Sequence, residues 1–277
     1  MSKTWLVTGA ARGIGAGIVK AALQAGDRVA ASGRDAAKVA EAFDPGPALF
    51  AVKLDVTDEP QAHDAVQAVV EHFGRIDVLV NNAGYGQLGV FEENEPADVE
   101  RQFATNVFGV FNVTRAVLPV MRRQRSGRIF NLSSIAGVRG ARGGSLYSAT
   151  KFAVEGFSEA LAAEVASFGI TVTIVQPGFF RTDFLDASSL RRGGKQIADY
   201  AELSSAVHAA YDARNHQQIG DPAKLAAVIV DLAGREKPPM RFAAGSDAVE
   251  IVATKIDAWR SEFERWRALS VTTDGQF

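Results

Sequence analysis

Cysteine is absent from the 277 residues. That removes disulfides, thiolate metal ligands and cysteine nucleophiles together, and it fits a reducing compartment. A surplus of charge is missing too: 30 Lys and Arg stand against 32 Asp and Glu, for a net charge of −2. Neither nucleic acid nor an anionic membrane is implied as a partner. No apolar run approaches a membrane span, and the start, "MSKTWLVTGAARG", reaches glycine and arginine too soon to form the core of a signal peptide. The expectation is a cytoplasmic protein. The four histidines, His63, His72, His208 and His216, share no metal-ligand spacing, so no metal is expected.

What is present is an ordinary globular composition, 47% hydrophobic and 22% charged, without the apolar depletion of disorder. Short β-branched runs alternate with stretches of helical period. "TWLVT" (4–8), a helix from Ile14 to Ala25, "RVAAS" (28–32), a short helix from Ala36 and "ALFAVKL" (48–54) set the rhythm. It continues with a helix near 60–73, "IDVLV" (76–80), one long helix near 97–124, "GRIFNLS" (127–133), the helix holding Tyr147 and "ITVTIVQ" (170–176). Continuously apolar strands separated by amphipathic helices belong in a parallel sheet covered on both faces. The spacing therefore predicts one Rossmann-like, doubly wound α/β domain over 1–277, with about seven strands. After Pro177 the pattern loosens: 183–218 reads as a substrate lid and 246–277 as a C-terminal extension carrying Trp259 and Trp266.

In such sheets ligands collect at the carboxyl ends of the strands. The first strand-to-helix turn reads "TGAARGIG". Gly9, Gly13 and Gly15 leave backbone bare there, so N–H groups and the positive helix end can approach a pyrophosphate. The glycine spacing departs from G-x-G-x-x-G; the strand before and the helix after carry the assignment.

Together with "NNAG" (81–84), "NLSS" (131–134) and "YSATK" (147–151), this turn resembles the short-chain dehydrogenase/reductase family, in its smaller one-domain branch. The likeness covers residues 4 to about 182, with every block in family order. It implies a nicotinamide cofactor, with Gly9, Gly13, Ile14 and Gly15 in the cofactor loop. It puts Asp55 and Val56 of "LDV" at the adenine, and Asn82, Ala83 and Gly84 beneath a ribose. In "PGFFRT" (177–182) it implies that Pro177, Gly178, Phe180 and Thr182 hold the nicotinamide carboxamide, for transfer of the pro-S hydride. Phe180 stands where the family usually has a smaller aliphatic.

NAD or NADP turns on the end of the second strand, where an acid would bind the ribose 2′-hydroxyl and repel a 2′-phosphate. Gly33 holds that position and Arg34 follows; Arg12 in the phosphate turn is a second cation suited to a phosphate. Asp35 is the counterweight, read here as the N-cap of the next helix. NADP(H) is favoured and NAD(H) stays open.

Tyr147 and Lys151 are four apart, hence neighbours on one helix face. A free phenol titrates near pH ~10; an adjacent ammonium and the positive oxidised nicotinamide both favour the phenolate, so a lowered pKa and a general acid/base role are expected. The resemblance adds that Lys151 holds the nicotinamide ribose, that Ser134 holds the substrate oxygen, and that Asn106 in "TNVFG" completes a tetrad by linking the lysine to solvent through water. Ser133 should point to the opposite face.

The sequence thus reads as an oxidoreductase moving a hydride between NADP(H) and a carbonyl or secondary alcohol. The alternative is a dinucleotide-binding regulatory module without turnover; an epimerase or dehydratase of the longer branch, and an enoyl reductase, fit the motifs less well. Arg139 and Arg142 in "GVRGARGGS" (137–145) raise an anionic substrate, with solvated loop arginines as the plainer reading. Phe179, Phe180, Phe184 and Leu185 are candidates for an apolar pocket. By resemblance, helices near 97–124 and 147–168 form the face of a homodimer or homotetramer.

Overall fold

The protein is described by a computed structural model over residues 2–275. Strands β1 (Thr4–Val7), β2 (Arg28–Gly33), β3 (Leu49–Lys53) and β4 (Val78–Asn81) alternate with helices α1 (Gly13–Gln24), α2 (Ala36–Glu41) and α3 (Glu59–Phe73). A short β5 (Gly86–Leu88) precedes α4 (Pro96–Phe103), a π-helical turn (Ala104–Phe108) and α5 (Gly109–Gln124). Then come β6 (Gly127–Leu132), α6 (Ser145–Val165), β7 (Ile170–Pro177), a short β8 (Leu190–Arg192), α7 (Ala201–Arg214), α8 (Pro222–Gly234), β9 (Arg241–Ala244) and α9 (Ser246–Ser270).

Seven strands form one sheet in the order β3-β2-β1-β4-β6-β7-β9, every pairing parallel. Parallel strands cannot be joined by tight turns, so each connection climbs over a face as a helix. The strands are apolar on both sides because both sides are covered: in β1, Leu6 joins the core beneath α3, α5 and α6, while Trp5 and Val7 join the core beneath α1 and α8. Strand order reverses between β1 and β4, which opens a crevice at their carboxyl ends.

Local signals fix the helix starts. Asp35, Asp58 and Asp221 cap α2, α3 and α8 with their carboxylates, each satisfying an orphan N–H of a first turn. The single helix expected near 97–124 is continuous but not uniform: α4 and α5 are joined by the π-helical turn, and Pro119 lies inside α5. Pro96–Gln124 is long and apolar enough to cross a membrane by composition alone, but half of that window is buried in the fold. The stretch 183–218 is more ordered than its sequence pattern: β8 pairs in parallel with β5 as a second, two-stranded sheet, and α7 follows.

Candidate active site

The crevice opens into a cavity of about 1220 Å³. Single-ligand pockets run to ~300–1,000 Å³, so this one has room for a dinucleotide and a second molecule. The phosphate turn forms one end. Gly9 and Gly13 have φ of +63° and +56°, conformations that L side chains rarely adopt. A Cβ on Gly9 would stand 2.9 Å from the Ala83 Cα, so only glycine lets the turn lie against the β4 end. Thr8 Oγ1 accepts from the N–H groups of Asn82 and Ala83 at 3.0 Å each, and Asn82 Nδ2 donates to the carbonyls of Thr8 and Gly9 at 2.8 and 3.0 Å. These bonds weld the end of β1 to the end of β4. Arg12 takes the N-cap position of α1 without a side-chain cap, leaving first-turn N–H groups aimed at the cavity, where an anion is favoured. The bare turn and uncapped helix start fit a pyrophosphate.

The expected site residues divide as follows. Gly9, Arg12, Gly13, Ile14, Arg34, Asp55, Val56, Asn82, Ala83, Gly84, Ser134, Tyr147, Lys151, Pro177, Gly178, Phe180 and Thr182 all line this one cavity. Gly15 is buried behind it, where a Cβ would meet Gly9 O and Asn82 Nδ2 at 2.5 Å; it closes the packing of the turn. Asn106 also stands behind the wall, 1% exposed. Its Oδ1 accepts from Tyr85 N at 3.1 Å, and its Nδ2 donates to Tyr85 O at 3.0 Å and Thr150 Oγ1 at 3.3 Å. The Asn106 side chain therefore satisfies the buried backbone of Tyr85.

At the second-strand end Gly33 and Arg34 line the cavity, and Lys38 joins them. Asp35 Oδ1 is engaged as the N-cap, accepting from Ala37 N and Lys38 N at 3.0 and 3.3 Å. Arg12 is placed differently from expectation. Its guanidinium donates to Ser188 Oγ at 2.6 Å and Ser188 O at 2.9 Å, because the 186–189 turn crosses above the phosphate loop and offers two oxygens to the planar fork. Asp55 Oδ1 accepts from Thr57 N and Thr57 Oγ1, fixing the turn that brings Val56 to the wall.

Tyr147 and Lys151 project from the first two turns of α6, with the lysine Nζ 5.6 Å from the centre of the phenol ring. Lys151 Nζ donates to Leu132 O, at the end of β6, at 2.7 Å. Burial pushes the Tyr147 phenol well above its ordinary value; the Ser134 hydroxyl, through a hydrogen bond that favours the phenolate, works against this, and the neighbouring Tyr211 phenol adds to it. Burial likewise brings Lys151 down to about 8, partly offset by Glu155. The lowered phenol expected from the ammonium is thus not produced by the protein's own groups: withdrawal from water disfavours both charged forms and is the largest cause of each shift. Ser133 lines the cavity beside Ser134 although it is only 4% exposed; its Oγ packs against Gly137, where a Cβ would stand 2.5 Å from it.

Several lining residues gave no sequence signal. Tyr85, directly after "NNAG", carries a buried hydroxyl with no hydrogen-bond partner, and Arg191 lies over its ring at 5.3 Å. Gln218 is 3% exposed, and both its amide atoms lack partners. Arg214 stacks on Phe179 at 4.0 Å. Arg139 lines this cavity, whereas Arg142 lines a small separate hollow under α7. From the far end of the chain, Asp247 Oδ2 accepts from Phe179 N at 2.8 Å, and a Cβ on Gly178 would strike its carboxylate. Phe180 turns its ring into the core and pairs by a backbone bridge with Gly220; its bulk is absorbed because position 220 has no side chain.

The chain belongs to the short-chain dehydrogenase/reductase family: the short chain dehydrogenase profile matches residues 3–192. It is 39% identical to oxidoreductase BOA17 of Botryotinia fuckeliana, over 99% of this chain and 100% of that protein. A short-chain dehydrogenase structure from Streptomyces avermitilis superposes with a TM-score of 0.91 at 40% identity, covering 99% of this chain and 100% of that one. ElxO, solved with NADP bound, superposes with a TM-score of 0.71 at 30% identity, over 86% and 94% of the two chains. The protein is an NAD(P)-dependent oxidoreductase acting on CH–OH groups.

Proposed function

We propose that the protein reduces a carbonyl with NADPH, and oxidises the corresponding secondary alcohol with NADP+, with Tyr147 as general acid/base. The observation that carries this is the convergence of Ser134, Tyr147 and Lys151 on one wall of the cavity that holds the phosphate turn. The pyrophosphate lies on the bare first turn of α1, and the adenine beside Asp55 and Val56. Arg34 and Lys38 take the 2′-phosphate, a revision of the expected pairing of Arg34 with Arg12. Asn82 to Gly84 run beneath the ribose, and Pro177 to Thr182 hold the carboxamide. When bound, the nicotinamide supplies or accepts the hydride. Ser134 holds the substrate oxygen against Tyr147, which delivers the proton in reduction and removes it in oxidation. Lys151, fixed by Leu132 O, holds the ribose hydroxyls and keeps a positive charge by the phenol; Asn106, expected to link the lysine to solvent through water, is instead spent on Tyr85 and Thr150 and steadies the wall behind the site.

The segment 183–218 acts as a lid. It is strapped to the sheet domain by the β5–β8 pair and by Arg12 to Ser188, and is tied across itself by Asn215 and His216 to Asp186. Subunits pair through α5 and α6, where Phe152 on α6 and Phe108, in the π-helical turn that leads into α5, are exposed.

The test is a panel of ketones, aldehydes and secondary alcohols, followed by nicotinamide absorbance with each cofactor. NADPH oxidation by one carbonyl class, faster than NADH oxidation, is the expected result. Tight NADPH binding with no turnover across the panel would establish the regulatory module instead.

A further inference from the structure

The last helix is the largest unpartnered element of the fold. α9 runs 25 residues, about 37 Å at ~1.5 Å per residue, and Ala248 alone is buried. Every residue from Ile256 to Ser270 is exposed. A helix without a core beneath it is marginal in water, yet this one carries an orderly apolar row. Val249, Val252, Ile256, Trp259, Phe263 and Trp266 follow one another at spacings of 3, 4, 3, 4 and 3. That is the narrow seam of a two-stranded coiled coil, not the broader stripe of a core-facing helix. Five of the six are 51–60% exposed, and a contiguous apolar surface of this kind marks an interaction site.

We propose that α9 pairs antiparallel with α9 of a second copy of this chain, about a two-fold axis between residues 257 and 258. Val249 then meets the partner's Trp266, Val252 meets the partner's Phe263, and Ile256 meets the partner's Trp259; symmetry repeats each layer. Every layer joins a small aliphatic side chain to a large aromatic one, so the seam keeps constant width. Lys255 and Glu262 flank the seam, and this register sets Lys255 beside the partner's Glu262 twice. Arg260 falls beside the partner's Ala253. A parallel pair fails on the same residues: Lys255 faces the partner's Arg260, rings crowd one end and valines leave gaps at the other. It would also force two protein bodies together, because both helices are rooted at their N-terminal ends through Asp247.

An anionic membrane is the poorer occupant. The helix carries Lys255, Arg260, Arg265 and Arg267 against Asp247, Glu250, Asp257, Glu262 and Glu264, which leaves no basic face for headgroups. Three aromatic rings per helix, each of ~150–250 Å² and a little over half exposed, leave roughly 500–900 Å² of ring surface to cover in the pair, and the aliphatic partners and the Lys255–Glu262 flanks carry it toward the roughly 1,200 Å² lower end of stable interfaces. The surface is separate from α5 and α6, and the inference holds whatever the substrate.

The absence of cysteine makes introduced thiols unambiguous reporters. Val252→Cys and Phe263→Cys chains of different tag length are co-expressed and mildly oxidised. The expected product is the cross-link between the two variants; self-linking of Val252→Cys, or no link at all, overturns the register. Light scattering of Trp259→Glu/Phe263→Glu should show the particle mass halved with NADPH binding retained, whereas an unchanged mass overturns the pairing. Lys255→Glu should weaken association roughly three- to tenfold and the added Glu262→Lys should restore it; failure of the swap to restore it refutes the antiparallel flank. Sedimentation of the wild-type protein with phosphatidylserine vesicles, lost in Trp259→Glu/Phe263→Glu, would assign the face to a membrane.

Discussion

The two ends of the cavity are built in opposite ways. The phosphate end is backbone: Gly9, Gly13 and the Asn82–Ala83 segment are held by bonds between neighbouring strand ends, with Thr8 and Asn82 as the clasps. The chemical end is side chains: Tyr147 and Lys151 from α6, Tyr85 from the β4 loop, and Arg191, Arg214 and Gln218 from the 183–218 segment. At the first end the strand-end clasps are satisfied within the protein and only the first-turn N–H groups of α1 are left for the ligand, which meets a rigid mould. At the second, the Tyr85 hydroxyl and the Gln218 amide are buried without protein partners, an expense that a substrate's own polar groups would offset. A shared cofactor is served by the first design and a particular substrate by the second.

That contrast can be broken by substitution. The largest effect belongs to Tyr147→Phe, which should lower kcat by about 10²–10⁴-fold while NADPH affinity, followed by fluorescence titration, stays unchanged; loss of binding would show that the two ends are not separable. Next is Arg34→Ala, for which NADPH should weaken by roughly 10-fold or more relative to NADH, the worth of a charge-assisted hydrogen bond. Equal losses in the two Kd values would remove Arg34 from the 2′-phosphate. Asp247→Ala, which frees Phe179 N, should raise the KM for cofactor about 3–10-fold with a smaller change in kcat, and Asp247→Asn should recover most of it by keeping an acceptor oxygen.

A last effect, separate from catalysis, is one of stability against pH. Lys151 is lowered from 10.5 to about 8 in the fold, so between those values the unfolded chain binds more protons and stability rises with pH. Below pH 8 the fold carries the full cost of the buried charge. Thermal melts from pH 7.5 to 10 should therefore show Lys151→Met losing ground to the wild type as pH rises; a constant gap would mean that the ammonium is not desolvated.

The sequence carried the sheet, the phosphate turn and the Tyr147–Lys151 pair because each is written in neighbouring residues: short continuous apolar runs, a cluster of glycines, a spacing of four. What it did not carry depends on chain segments meeting after folding. Lys38 reaches the cavity only once α2 has packed, and Arg12 is diverted by Ser188, 176 positions away. Asp247 and Gln218 sit in stretches with no motif. The 183–218 segment looked loose because α7 buries only Ser204 and Val207, so its sequence lacks a strong apolar stripe. The upward push that burial gives Tyr147 was not legible for a related reason: charge proximity is visible in a spacing of four, whereas desolvation is a property of everything packed around it.

The π-helical turn at Ala104–Phe108 locks the length of the helix that contains it. Upstream of Phe108, Gln102 and Asn106 both reach Tyr85 O; downstream, Val113, Val117 and Val120 enter the core. Removing one residue from the wide turn would swing everything after it by about 100°, so the clasp on Tyr85 and the seat in the core could not both survive. Such bulges concentrate at functional sites, and here a lone deletion would have to forfeit one neighbour or the other, like a gear cut with a tooth too few.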